Sequence, residues 1–212
     1  FKPMQMEFVF GQNGISPILL ELADGTFVYL QGRIDRIDMT ADGAVRIIDY
    51  KSGGKKFDPT LVYWGLQLQL LLYMAAAVAR IPESRAAGFF YCRVADPTVK
   101  TEIRMKEEVE KQIAKKLALS GITLSDVSIL RAQGGAQAGM VTKDGKPNGR
   151  YASSMVTDEG MEHLIAFARN KATTLAGDIY AGIIYDSPYE RGSLNACQSC
   201  DYAPICTFDP ER

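Results

Sequence analysis

The chain has 212 residues, of which 47% are hydrophobic and 23% are charged, and its formal net charge is −1 at pH 7. This length and composition predict one globular domain with a sizeable core. No apolar run is long enough to cross a bilayer, and the first residues (FKPMQMEF) lack a signal-peptide pattern. We therefore expect a cytoplasmic protein without a membrane partner, and the start at Phe1 suggests a piece of a longer chain.

Four apolar runs predict strands in the first quarter of the chain. Residues 6–11 and 18–22 are short, whereas residues 26–39 (TFVYLQGRIDRIDM) and 44–50 (AVRIIDY) are rich in β-branched and aromatic residues. The sequence Ala-Asp-Gly at 41–43 is a turn signal between the two longer runs. These two runs are predicted to form a β-hairpin.

The hairpin brings three charged residues to one face. If its turn is centred on Asp42, residues whose numbers sum to 84 lie opposite each other, so Asp35 faces Asp49. Lys51 follows on the same face, because side chains in a strand repeat with period two. Two facing carboxylates repel unless a cation lies between them, and oxygen ligands suit Mg²⁺ or Mn²⁺. The pattern indicates a divalent metal site with a lysine beside it.

A helix is predicted for residues 59–80, with Asp58 as its N-cap and proline in its first turn. Gln69 and Tyr73 are four residues apart and therefore share one face of this helix. Leu66, Leu70, Met74, Ala77 and Val78 form its predicted apolar stripe.

The remaining pattern predicts an α/β layer structure. Residues 52–56 (SGGKK) form a basic loop, which either holds a phosphate backbone or is a solvated turn. Glu7 is either a further acidic group of the site or an exposed strand residue, and Tyr63 and Trp64 either stack on a base or serve packing. The later elements are a strand at 86–94 with Cys92 as a core thiol, a charged helix at 104–120, a loop or hairpin at 125–149, and a helix at 159–176 that carries an exposed His163.

Three cysteines lie close together near the end of the chain. Cys197, Cys200 and Cys206, here called the tail cysteines, fall within ten residues. In a cytoplasmic protein this spacing indicates metal or cluster ligands rather than disulfides. Zinc normally takes four ligands in one compact site, and no second CxxC or nearby histidine supplies the fourth.

These motifs together resemble a known family. Asp35, thirteen residues and then Asp49-Tyr50-Lys51 resemble the PD-(D/E)XK nuclease signature in its RecB-type version, and Gln69 and Tyr73 match the QxxxY motif of that branch. The tail cysteines, followed by Phe208-Asp209, are similar to the C-terminal iron–sulfur motif of AddB-type helicase–nuclease proteins. The resemblance covers roughly the whole chain.

The resemblance implies a restriction-endonuclease-like α/β core, a central mixed sheet flanked by helices, for residues 1–194, and an iron–sulfur tail for residues 195–212. It implies a Mg²⁺- or Mn²⁺-dependent DNA exonuclease in an AddAB-type complex, acting on a single strand in double-strand break repair beside an AddA-type partner. Asp35, Asp49 and the carbonyl of Tyr50 would hold the metal, Lys51 would position or activate water, and Gln69 and Tyr73 would brace the site or contact the strand.

The same resemblance implies that this chain does not supply all the ligands of the iron–sulfur cluster. In AddB-type proteins the fourth cysteine ligand of the 4Fe–4S cluster lies far upstream, so the cluster is expected to be incomplete in this chain. Two alternatives remain: a Cas4-like or phage-type exonuclease of the same superfamily, and an inactive DNA-binding or scaffolding module.

Overall fold

A six-stranded mixed β-sheet organises the fold. The computed structural model describes residues 1–12, 15–95, 106–185, 187–191, 194–206 and 208. Its first eight strands are β1 (Lys2–Phe10), β2 (Ile18–Glu21), β3 (Phe27–Leu30), β4 (Gly32–Met39), β5 (Ala44–Lys51), β6 (Arg85–Arg93), β7 (Ser120–Leu124) and β8 (Met155–Val156). The sheet order is β1-β4-β5-β6-β7-β8, with β5–β6 and β7–β8 parallel and the other pairs antiparallel. The predicted α/β fold with a central mixed sheet is confirmed.

The central hairpin has the predicted register. The pairs Arg36–Ile48, Ile37–Ile47, Asp38–Arg46 and Met39–Val45 all sum to 84. The turn places Gly43 at φ +84°, a backbone conformation that glycine adopts without a steric penalty. Residues 44–49 are all buried, because β5 lies inside the sheet and both its faces are covered.

The single strand predicted for residues 26–39 is wrong, because the chain changes sheet at Gln31. β3 pairs with β2 in a separate two-stranded sheet, whereas β4 enters the central sheet between β1 and β5. Gly32 makes this change possible, since a Cβ at this position would lie 2.6 Å from Cζ of Phe10 and 3.1 Å from Cε1 of Tyr73.

The helix predicted for residues 59–80 is two helices, α1 (Pro59–Tyr63) and α2 (Gln69–Arg80). Asp58 caps α1 as predicted, by accepting a hydrogen bond from the backbone N–H of Thr60. The chain then turns at Gly65, which has φ +84°. Leu66 is consequently 50% exposed rather than part of the apolar stripe.

Gln67 stabilises this break. Its side chain is buried, accepts a hydrogen bond from the N–H of Asp58 and donates one to the carbonyl of Lys56. α2 packs on β4, β5 and β6, and the buried Leu70, Met74 and Ala77 form its inner face. The sheet and α2 together position the last residues of β5, which are Asp49, Tyr50 and Lys51.

The described residues also form the α-helices α3 (Lys106–Lys116), α4 (Val127–Gln133) and α5 (Asp158–Tyr180). α3 and α5 correspond to predicted helices, and His163 of α5 is exposed as expected. Residues 104–105 of the predicted charged helix lie outside the described residues.

The prediction of only a loop or hairpin at 125–149 is wrong, because α4 forms there with Asp126 as its N-cap. A buried polar chain anchors α4 to the sheet. Arg46 donates to Oδ2 of Asp38 at 2.9 Å and to Oε1 of Gln133 at 2.7 Å, and Gln133 donates to Oγ1 of Thr123 at 2.9 Å. Arg46 and Gln133 are 87 residues apart in sequence, which is why local patterning did not reveal the helix.

The chain forms two compact units, Phe1–Ala176 and Gly177–Arg212. The second unit contains the short strands β9 (Glu190–Arg191) and β10 (Leu194–Asn195) and a 3₁₀ helix at Ala196–Ser199. Within the described residues, no helix has the length and apolar character needed to span a membrane.

Candidate active site

The site is built around Asp49, near the end of β5. Asp49 is only 3% exposed, and its Oδ2 forms an ion pair with the ammonium of Lys51. Burial raises the pKa of Asp49, while the ammonium of Lys51 lowers it and the nearby Asp35 carboxylate raises it again. A buried carboxylate oxygen in this position is suited to bind a cation.

Asp35 lies where β4 separates from β5. The last paired residues are Arg36 and Ile48, and one step further Oδ2 of Asp35 accepts a hydrogen bond from the backbone N–H of Tyr50 at 2.7 Å. The N–H and C=O of one strand residue point to the same neighbouring strand. The Tyr50 carbonyl is therefore directed to the side on which Asp35 lies.

Lys51 is held by two side chains. Its Nζ lies 2.5 Å from Oδ2 of Asp49, in an ion pair, and donates a hydrogen bond to Oε1 of Gln69 at 3.3 Å. The ammonium also lies 5.6 Å from the centre of the Tyr91 ring. Since its side chain is partly exposed, Lys51 can reach a substrate at the surface of the site.

Gln69 and Tyr73 form the next part of the same hydrogen-bonded chain. Nε2 of Gln69 donates to the hydroxyl of Tyr73 at 2.9 Å. The Tyr73 ring packs edge-on against Phe10, with 6.0 Å between ring centres. Tyr73 therefore orients the Gln69 amide so that its oxygen faces Lys51.

These donors fit a hard divalent cation. Two carboxylates and a carbonyl are oxygen ligands of the kind that Mg²⁺ and Mn²⁺ prefer. Across the described ranges, no group of three or more His, Cys, Asp or Glu side chains is placed to hold a metal ion. A cation at Asp35 and Asp49 would need the Tyr50 carbonyl, water or substrate oxygens to complete its coordination.

One residue near the site, Tyr91, was not found from the sequence, whereas Lys55 belongs to the predicted basic loop at 52–56. Tyr91 pairs with Asp49 across the parallel β5–β6 ladder, and burial, helped by the Asp49 carboxylate, raises its pKa to about 12. Nζ of Lys55 lies 4.9 Å from the centre of the same ring. Burial, with Lys51 as a further cause, lowers the pKa of Lys55. Only the long-range pairing of β5 with β6 brings Tyr91 to the site.

The other acidic and aromatic candidates have different surroundings. Glu7 is exposed and forms an ion pair with Arg33 at 3.0 Å. This fits the interpretation of Glu7 as an exposed strand residue. Tyr63 and Trp64 are exposed and contact each other edge-on, and Tyr63 also stacks on Phe167.

The tail cysteines do not form a complete ligand set in the described residues. Cys197 is a half-buried free thiol in the 3₁₀ helix, and Cys200 and Cys206 are exposed free thiols. Cys92 of β6 is a further half-buried free thiol. The three tail thiols are one fewer than a 4Fe–4S cluster takes. Asp209 of the tail motif lies outside the described residues.

Comparison with known proteins identifies the family. Residues 1–207 match the PD-(D/E)XK nuclease superfamily. This chain belongs to that superfamily.

The relatives of this nuclease chain are much longer proteins. It is 38% identical over 227 residues to the B subunit of the ATP-dependent helicase/deoxyribonuclease of Alkaliphilus metalliredigens, with 99% of this chain and 20% of that protein covered. The corresponding proteins of Clostridium tetani and Acetivibrio thermocellus are 39% and 35% identical, with the same coverage. The chain therefore spans about a fifth of the length of these relatives.

Proposed function

We propose that this chain is the nuclease domain of an AddB-type protein and hydrolyses DNA phosphodiesters as a Mg²⁺- or Mn²⁺-dependent exonuclease. The observation that carries the proposal is the buried Asp49 carboxylate, with Asp35 beside it and Lys51 held against it. The names of the relatives support deoxyribonuclease activity within a helicase-containing protein.

In this proposal Asp35, Asp49 and the Tyr50 carbonyl hold the cation. When bound, Mg²⁺ or Mn²⁺ supplies Lewis-acid polarisation of the phosphodiester and makes water more acidic. Burial of Asp49 favours metal binding, because a cation neutralises a carboxylate that is otherwise desolvated. The hydrogen bond from Tyr50 keeps one oxygen of Asp35 fixed at the site.

Lys51 has the role of a positioned cation. Its ammonium donates hydrogen bonds to a non-bridging phosphate oxygen or to the attacking water, and so stabilises the negative charge that grows in the transition state. Asp49 and Gln69 restrict its position before substrate binds, which lowers the entropic cost of reaching the reactive geometry.

The wider role rests on the relatives. We infer that the parent protein works with an AddA-type partner in the cytoplasm and degrades single strands released by a helicase during double-strand break repair. The chain spans only a fifth of these relatives, so the motor and its ATP hydrolysis lie in other parts of the protein or its partners. The tail cysteines are proposed as three ligands of a 4Fe–4S cluster whose fourth ligand comes from the rest of the parent protein.

Cleavage of end-labelled linear DNA by the full-length protein with Mg²⁺ tests the function. Lys51→Ala and Asp49→Ala are each expected to lower the rate about a hundredfold or more, since each removes a positioned catalytic group. Lys143→Ala and Asp144→Ala are matched controls, because both residues lie in an exposed turn. Near-normal cleavage by Lys51→Ala would contradict the assignment and favour a DNA-binding or scaffolding module.

A further inference from the structure

A basic cleft lies beside the candidate active site. It is a cavity of about 730 Å³ between the loop at 54–56, the end of β6 and α3. Six of its described lining residues are cationic and one, Glu108, is acidic. The cationic residues are Lys55, Lys56, Arg93, Lys111, Lys115 and Lys116. This local excess of positive charge contrasts with the net charge of −1 for the whole chain.

Two buried polar atoms of the cleft lack partners. Tyr91 lines the cleft and is 2% exposed, and its hydroxyl makes no hydrogen bond within the described structure. Nε of Arg93, also in the lining, is likewise buried without a hydrogen-bond partner there. Buried polar groups are normally satisfied, and these two can donate to an acceptor oxygen of a group that binds in the cleft.

The cleft lies close to the catalytic residues on the side of Tyr91. Tyr91 connects the two, since its ring lies 5.6 Å from Nζ of Lys51 and 4.9 Å from Nζ of Lys55. A negatively charged group that binds at Lys55 therefore lies next to the position proposed for the scissile phosphate.

The cleft continues at the other end into a second cavity. This cavity has a volume of about 400 Å³ and shares Lys56, Lys115 and Ser120 with the first. Tyr151, Ser153 and Ser154 lie further along it. Lysines followed by hydroxyl groups are common contacts to backbone phosphates.

We propose that this cleft, from Lys55 along α3 to Ser154, binds the phosphate backbone of a single DNA strand that continues from the scissile phosphate. The inference rests on the proposed nuclease function and adds the path of the substrate. A cavity of this volume is of small-ligand size, which suits a single strand better than a duplex. Positively charged grooves that follow the backbone are the usual means of binding single strands without sequence preference.

Lysine footprinting on the full-length protein tests the path directly. Acetylation of lysines is measured by mass spectrometry with and without a 30-nucleotide oligo(dT), in EDTA so that no cleavage occurs. Lys55, Lys111 and Lys115 are expected to become about fivefold less reactive when the strand is bound. Lys106 is the internal control, because it lies on the same helix but outside the cleft lining.

A matched pair of variants tests the contribution to cleavage. Lys111→Ala/Lys115→Ala is compared with Lys106→Ala/Lys143→Ala, which removes the same charge elsewhere and keeps good helix formers on α3. The first pair is expected to raise KM for a 30-nucleotide strand about fivefold to tenfold with kcat nearly unchanged. It should also reduce the salt slope of strand binding by about 1.4, or roughly 0.7 for each lost contact.

The outcomes separate this inference from the nuclease assignment. Equal protection of Lys106 and Lys111, or equal KM for the two variant pairs, would overturn the path even if Lys51→Ala is inactive. Protection by thymidine monophosphate at the same nucleotide concentration would overturn it in favour of a mononucleotide site. Protection by a blunt duplex but not by oligo(dT) would also refute a single-strand cleft.

Discussion

The hydrogen-bonded chain from Lys51 through Gln69 to Tyr73 makes a quantitative prediction about coupling. Tyr73→Phe removes the hydroxyl that accepts from Nε2 of Gln69 at 2.9 Å and leaves the ring against Phe10. A neutral hydrogen bond contributes about 1 kcal/mol, which corresponds to roughly a fivefold loss in rate. Gln69→Leu also removes the oxygen that faces the ammonium at 3.3 Å, so its effect is expected to be about tenfold or more.

The double variant decides how Tyr73 acts. If the Tyr73 hydroxyl works only by orienting Gln69, adding Tyr73→Phe to Gln69→Leu costs nothing further, and the coupling energy is about 1 kcal/mol. Single-turnover cleavage of a labelled strand by the full-length protein measures all four rates. An equal fivefold loss from Tyr73→Phe in both backgrounds would refute this reasoning and assign the hydroxyl a separate role, such as contact with the strand.

Three further outcomes are expected. Cleavage should require Mg²⁺ or Mn²⁺ and be inhibited by Ca²⁺, which tolerates looser geometry, so activity that persists in excess EDTA would contradict the metal site. Gly32→Ala should lower the rate of cleavage and destabilise β4, measured by hydrogen exchange, by about 1–3 kcal/mol, because the new Cβ displaces Phe10 and Tyr73. Changing any tail cysteine in the full-length protein should remove a brown, oxygen-sensitive chromophore and weaken folding or DNA binding more than chemistry; an unchanged absorption spectrum would rule out cluster ligation.

The parts of the site that were predicted from sequence are those set by local geometry. The turn at Gly43 sets the register of β4 against β5, so it also sets the proximity of Asp35 to Asp49 and Lys51. The four-residue spacing of Gln69 and Tyr73 lies within one helix, and their hydrogen bond follows from that spacing.

The break between α1 and α2 and the helix α4 were missed for a different reason. α1 ends because buried Gln67 bonds back to Asp58 and Lys56, and the periodicity of apolar residues carries no information about such a contact. α4 is held by a polar contact between Gln133 and Arg46, which are 87 residues apart. Its short apolar pattern did not distinguish a helix from a loop.

The sequence was sufficient for the family, the hairpin and the order of the charged residues, since hydrophobic periodicity, turn chemistry and motif spacing are properties of neighbouring residues. The surroundings of those residues depended on the folded chain. Burial gave Asp49 its raised pKa, and parallel pairing brought Tyr91 beside Lys51 and Lys55. Packing of α3 near the end of β6 then gathered lysines from distant segments into one cleft. Such features arise because desolvation and charge clustering depend on distances in space, which tertiary contacts set and local sequence does not.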